Sequence, residues 1–356
     1  MQYRKLWGML IAAGVVAAAA SAAKADTFRL SIGAGHPASA AWIASMQDFL
    51  APEITKRVKE RTGHDIVWTE AWGGSVCKLG ECLEAVEAGL LDVADLQTPF
   101  DPSKLQAHNF MYFVPFGLPD PRDGAKAALE TYERVPELKT YLEDNYNQVF
   151  LGVGIIGNYG LSTTFEWSSV DDLQGQKIAA AGPNIPWLEG TGIVGVQSNL
   201  NDAYTSLQTG VYNGWVMFAD ALVSFKLIEV AKNFADIHFG TIATPLVTIN
   251  KDTWEGLPPE VQDIFLEVGR EWNGYMGDLV HEKQEAALKT MREAGVNFIE
   301  VTDENRTAWA NQLPNLPKVR FEEVEQAGQP ADAIYTFIDV AKELGHTFPR
   351  DWAAER

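Results

Sequence analysis

Between Val261 and Leu279 the apolar residues Val261, Ile264, Phe265, Val268, Trp272, Tyr275, Met276 and Leu279 recur at three- and four-residue steps. That spacing predicts an amphipathic helix. The turn at Leu257-Pro258-Pro259 opens it, since proline suits the first helical turn, and the pattern extends it over 260–292. At 1.5 Å per residue such a helix is about 50 Å long, more than the diameter of one small domain. It is therefore expected to cross both domains of a two-domain chain, for which 356 residues suffice. Gly269, Gly274 and Gly277 are its candidate bends.

Elsewhere the chain alternates strand and helix. Thr27 to Ile32 reads as a strand, Ala40 to Arg61 as an amphipathic helix, His64 to Trp72 as a strand broken by Gly73-Gly74, Leu79 to Ala88 as a helix, and Leu91 to Leu96 as a third strand. This βαβαβ opening implies a parallel sheet with ligands at the carboxyl ends of its strands. Those ends put Gly33 to Pro37 (with His36), Trp72 to Ser75 and Gln97 to Phe100 around one cleft. A helix over Gly124 to Glu143 and a strand over Gln148 to Ile156 follow. A second set comprises strands at Leu161 to Thr164, Lys177 to Ala180, Val194 to Gln197 and Thr241 to Ile249, with helices at Asn201 to Thr209 and Ala221 to Val230. The fold class is α/β.

The first 25 residues stand apart. Arg4 and Lys5 precede an apolar run from Leu6 to Ala20, and Ala23-Lys24-Ala25 places small residues where a signal peptidase reads. The run is shorter than the roughly 20 residues of a membrane-spanning helix, so cleavage near Ala25 and export are expected. Loss of Arg4, Lys5 and Lys24 takes the net charge from −20 to −23. Such a chain repels nucleic acid and anionic membranes, without identifying a ligand. In an exported chain the cysteine pair Cys77 and Cys82 can form a disulfide if Cys77 sits just before the helix that carries Cys82. The compartment favours the bridge over free thiols. It would be worth only about 2 kcal/mol in so short a loop and would hold the Gly73-Gly74 turn against the helix start.

Signatures of catalysis and cofactor binding are missing. Gly152-Val-Gly154-Ile-Ile-Gly157 follows a strand but precedes no helix, and Gly190-Thr-Gly192-Ile-Val-Gly195 lacks the strand, so both read as backbone-turn devices and not as dinucleotide sites. There is no Walker A loop, GxSxG or HExxH. The six histidines lack ligand spacing, and four residues after His281 stands Glu285 where a zinc helix needs histidine. No catalytic residue, metal site or cofactor is expected. Aromatic and amide residues at strand ends carry more information: Asn158-Tyr159, Asn184 with Trp187, and Trp215 with Phe218 have the makeup of a small-molecule pocket. Trp215 or Phe218 taken singly reads equally well as core.

The segments LQTGVYNGWVMFADALVSFKLIEVAKNF, DDLQGQKIAAAGPN and GECLEAVEAGLLDVADLQ resemble the solute-binding proteins of tripartite ATP-independent periplasmic (TRAP) transporters, in the dicarboxylate-binding group. The resemblance covers essentially the whole mature chain. It implies a two-domain periplasmic binding protein, a clamshell with crossing strands and a long helix spanning both domains. Such a protein does no chemistry, closes on one small solute, and delivers it to the small and large membrane subunits of a permease. Domain I is then expected over 26–152 plus about 238–275. Domain II takes 153–237 plus about 276–356, including C-terminal helices, of which Ala331 to Leu344 could pack on a partner subunit as a homodimer contact.

In many relatives the position of Ala179 carries an arginine that forks onto the solute carboxylate. A second arginine, used by sialic-acid binders, aligns with Tyr159, and a common asparagine with Met217. This chain departs from the dicarboxylate pattern at its defining residue, Ala179. A carboxylate is then expected to be held by Asn158, Tyr159, backbone N–H groups near Asn184 and Lys78. Trp72, Trp187, Trp215 and Phe218 suit a flat body. The first expectation is a small organic monocarboxylate, including an aromatic one. The second is a polar neutral or cationic solute with Glu70 or Asp220 as partner, and a periplasmic enzyme on the same fold is the alternative of another class.

Overall fold

The structure is a computed structural model and describes residues 25–354. The expected signal segment lies outside them except for Ala25. In chain order the first lobe contains β1 (Thr27–Ala34), α1 (Ala41–Ser45), a π-helical turn (Met46–Leu50) running straight into α2 (Ala51–Thr62), β2 (Asp65–Ala71), α3 (Cys82–Glu87), β3 (Val93–Gln97), α4 (Pro121–Arg134), α5 (Glu137–Tyr146) and β4 (Gln148–Val153). The second lobe contains β5 (Tyr159–Thr163), β6 (Lys177–Ala180), β7 (Val194–Gln197), α6 (Leu200–Thr209), β8 (Gly214–Phe218), α7 (Ala219–Ser224) and β9 (Asn233–Ala235). The chain then returns through β10 (Pro245–Asn250), α8 (Lys251–Glu255) and α9 (Pro259–Glu293), and ends with β11 (Asn297–Ile299), α10 (Asp303–Gln312), α11 (Leu316–Gln326) and α12 (Ala333–Glu343).

Two sheets result. The first has the order β2-β1-β3-β10-β4 and the second β11-β9-β5-β8-β6-β7. β1 runs parallel to β2 and β3, while β10 enters antiparallel between β3 and β4. In the second sheet β5 is the antiparallel member, set against β8 and β9. β3, β5, β8 and β10 are buried at every position, as strands covered on both faces must be. The helix expected over Gly124 to Glu143 is instead two, because Pro136 keeps the preceding Val135 out of helical conformation (φ −120°, ψ 73°).

α9 is one uninterrupted helix of 35 residues, about 52 Å at 1.5 Å per residue. Near its start Glu267 and Glu271 each lie 2.6 Å from the Arg57 guanidinium of α2. Its end leads into β11 of the second sheet, so it spans both lobes. Two of its glycines, Gly269 and Gly277, permit close approach, while a Cβ on Gly274 would meet nothing within 4 Å. A Cβ on Gly269 would stand 2.1 Å from the Leu151 carbonyl oxygen, and one on Gly152 would stand 2.6 Å from the Gly269 carbonyl oxygen. Helix backbone rests directly on strand backbone there. The Gly152-x-Gly154-x-x-Gly157 run, expected to be a turn device, therefore has another cause: its glycines lie in β4 and the segment after it, pressed by Gly269, Trp272 and Phe218.

The C-terminal helices pack within the chain. α12 lays Ile334, Phe337, Ile338 and Ala341 in the core and packs on α4 of the first lobe, where Arg134 and Glu343 pair at 2.6 Å. An amphipathic helix has one apolar stripe to bury, and this one is covered within the chain. The face left exposed for any partner subunit carries Asp332, Asp339, Lys342 and Glu343.

Candidate functional site

Besides α9, the chain passes between the sheets over 154–158 and 236–244, and these two passages pair. Ile156 and Ile242 exchange backbone hydrogen bonds at 2.8 and 3.4 Å, and the Tyr159 N–H donates to the Gly240 carbonyl at 3.1 Å. Asn158 ties the two crossings together. Its Nδ2 donates to Asp236 at 2.8 Å, its Oδ1 accepts from the Gly240 N–H at 3.1 Å, and its own N–H donates to Gln284 of α9 at 3.0 Å. Each end of the amide expected to meet a solute has a partner within the protein.

Beside the crossings lies a cleft. Ala41 and Trp42 enter it from the first lobe, Phe218, Ala219 and Asp220 from the end of β8 and start of α7, Ile156 and Gly157 from the crossing, and Val280, Lys283 and Gln284 from α9. Each lobe, the first crossing and α9 thus contribute. The indole N–H of Trp42 is buried without an acceptor. Behind Trp42 the His36 ring packs edge-on at 5.1 Å, and burial lowers the His36 pKa to about 4, which keeps it neutral at pH 7. Behind Phe218 the Tyr159 ring stands edge-on at 5.3 Å, in turn 5.4 Å from Trp187. The Tyr159 and Tyr112 hydroxyls are 3.2 Å apart, and desolvation pushes Tyr159 up to about 12, so both phenols stay protonated.

Of the sequence candidates, Phe218 and Asp220 line the cleft, with His36 and Tyr159 one layer behind. Trp187 is fully buried, its Nε1 donating to the Tyr112 carbonyl at 2.8 Å. Trp215 is also fully buried and pairs across the sheet with Ala179, so it takes the core role that its sequence context left open. Its Nε1 has no protein partner, and neither end of the buried Asn184 amide has one. Met217 is buried opposite Gly160. In the first lobe the Trp72 Nε1 donates to Glu70 at 2.6 Å, and Lys78 is exposed beside the disulfide joining Cys77 and Cys82. Gln97 belongs to a separate small cavity, where its Nε2 donates to both Asp95 oxygens at 3.0 and 2.9 Å. Burial raises the Asp95 pKa to about 7.

Sequence reasoning missed Trp42, Lys283 and Gln284. Trp42 falls on the apolar stripe of its helix and reads as core. Lys283 falls on the polar side of α9, where solvation is the default explanation. Only the crossing of α9 past the lobe junction brings them together. Among the described residues no group of three or more His, Cys, Asp or Glu side chains is arranged to hold a metal ion.

Residues 45–323 match the profile of the bacterial extracellular solute-binding proteins, family 7 (DctP). The chain is 32% identical over 114 residues to the C4-dicarboxylate-binding periplasmic protein DctP of Rhodobacter capsulatus, covering 32% of this chain and 34% of that protein. It is 32% identical over 171 residues to the 2,3-diketo-L-gulonate-binding periplasmic protein YiaO of Escherichia coli, covering 48% and 51%. The matched region thus spans a third to a half of the length of these relatives. The fold is similar to that of a TRAP periplasmic solute-binding protein from Bordetella bronchiseptica with bound mandelate, with a TM-score of 0.73 at 22% identity over 89% of this chain and 99% of that one. The long α9, the two sheets and the family profile agree: the chain belongs to family 7 of the bacterial extracellular solute-binding proteins, the solute-binding proteins of TRAP transporters.

Proposed function

We propose that this chain works in the periplasm, captures a small organic acid in the cleft between its lobes and delivers it to the small and large membrane subunits of a TRAP permease. The observation that carries the reading is Lys283, a cation on the spanning helix that lines the cleft and makes no hydrogen bond or ion pair to another described residue. An ammonium in that position can give a carboxylate a charge-assisted hydrogen bond, and the unpaired Trp42 N–H adds a donor from the first lobe. A solute held from both lobes favours the closed form by its differential affinity for it. In this reading the lobes are 26–152 with about 238–275, and 153–237 with about 276–356 except α12, which packs on the first lobe, and they close about the paired crossings.

Ala179 offers no guanidinium, while Trp42 and Phe218 offer two aromatic surfaces. A single carboxylate on a flat body fits this better than a dicarboxylate, and the mandelate bound by the Bordetella protein supports that preference. The test is a thermal-shift screen of organic acids on the parent protein and on Lys283→Gln. A solute at 100 times its Kd is expected to stabilise the parent by about 2.7 kcal/mol, and the variant to lose affinity about tenfold or more with its unliganded melting temperature unchanged. Equal binding by the variant would remove Lys283 from the site. Strongest shifts from C4-dicarboxylates would overturn the single-carboxylate preference.

A further inference from the structure

The cleft holds a second charged group that an organic acid alone does not explain. Asp220, in the first turn of α7, lines the same cleft as Lys283. The two do not pair with each other, and Asp220, like Lys283, has no hydrogen-bond or ion-pair partner among the described residues. Both are partly buried. Elsewhere the molecule pairs charges readily, as with Arg57 against Glu267 and Glu271, or Arg134 against Glu343. Two opposite charges facing one small cleft without neutralising each other complement a ligand that carries both signs.

We propose that Asp220 and Lys283 form a dipolar recognition pair that selects a zwitterionic solute, the carboxylate taken by Lys283 and the cationic end by Asp220. This rests on the reading of the cleft as the solute site. A simple anion satisfies Lys283 but sits beside an uncompensated carboxylate, and a simple cation does the reverse, so each is rejected by the group it leaves unpaired. Trp42 and Phe218 add aromatic faces suited to a cationic body such as a quaternary ammonium. The two charges come from different elements, α7 and α9. Their spacing depends on how those helices pack, so the pair also selects the separation of charges in the solute.

Two trios of near-isosteric probes isolate charge from shape. Trigonelline, m-toluate and the N-methylnicotinamide cation share a flat ring and differ in being zwitterion, anion and cation. γ-Aminobutyrate, valerate and γ-aminobutyramide do the same on a flexible chain. Titration calorimetry on the full mature protein is expected to show the zwitterion of at least one trio binding about tenfold or more tighter than both its partners. Asp220→Asn is expected to erase that preference in favour of the anion, and Lys283→Gln in favour of the cation. Asp220→Glu is expected to retain part of the zwitterion preference, which a merely structural role for the carboxylate would not produce. The unliganded melting temperatures of the variants monitor folding. If the anion binds tightest and Asp220→Asn leaves it unchanged, the dipolar pair is refuted while the organic-acid reading stands. If no probe binds, the pair does not govern recognition and the proposal falls, whereas the organic-acid reading is decided separately by its own screen.

Discussion

Asn158 separates a solute contact from a brace between the crossings, because the two roles predict opposite results for Asn158→Ala. The side chain donates to Asp236 at 2.8 Å and accepts from the Gly240 N–H at 3.1 Å. A hydrogen bond to a charged group contributes about 1.5–3 kcal/mol and a neutral one about 1 kcal/mol. Asp236 keeps His238 at 3.2 Å, so the substitution does not strand the carboxylate and the cost stays near about 3 kcal/mol. With an unfolding entropy of about 2.1 cal/mol/K per residue, a chain of this length should melt about 4 °C lower. Alanine retains the backbone N–H that donates to Gln284, so the tie to α9 survives. Scanning calorimetry of the unliganded protein reads the shift, and a thermal-shift titration reads binding. A melting temperature within about 1 °C of the parent, together with loss of solute-induced stabilisation, would refute the brace and return Asn158 to the solute.

Asn184→Leu removes an amide with no protein partner at either end and is expected to raise stability in urea by about 1–3 kcal/mol; a comparable loss would show that the amide is bonded in the native protein. For Asp95, burial sets the folded pKa at about 7 against 3.8 for the ordinary group, so its contribution is full below pH 4 and is lost as pH rises through 7. Asp95→Asn should therefore match the parent near pH 4 and exceed it increasingly up to about pH 7, by at most about 4 kcal/mol, in denaturation curves measured across that range. His36 acts with the opposite sign: held at about 4, it is neutral when folded and protonates in the unfolded chain below about 6.5. Stability is thus lost as pH falls from 6.5 towards 4, and His36→Gln should remove that dependence. Replacing Cys77 and Cys82 by serine opens a very short loop and should cost about 2 kcal/mol in urea; no loss would mean that packing alone holds the Gly73-Gly74 turn.

Local pattern in the sequence determined the elements. The stripe from Val261 to Leu279 marks α9 to within a residue or two, and the strands at Lys177–Ala180 and Val194–Gln197 stand where their apolar character places them, because a helix face or a strand core is written in neighbouring residues. The familiar segments around Gln208–Gly214 indicated the family for the same reason. The tertiary structure decided what each residue is used for. Gly152 and Gly269 are explained only by a helix backbone lying on a strand backbone, a contact between segments more than 100 positions apart. Trp187 and Trp215 became core, Asn158 a tie between the crossings, and Lys283, which looks like any solvated lysine on a helix, came to line one cleft with Asp220. Side-chain chemistry is local, but partners and burial are set by chain crossings, and no window of neighbouring residues contains them.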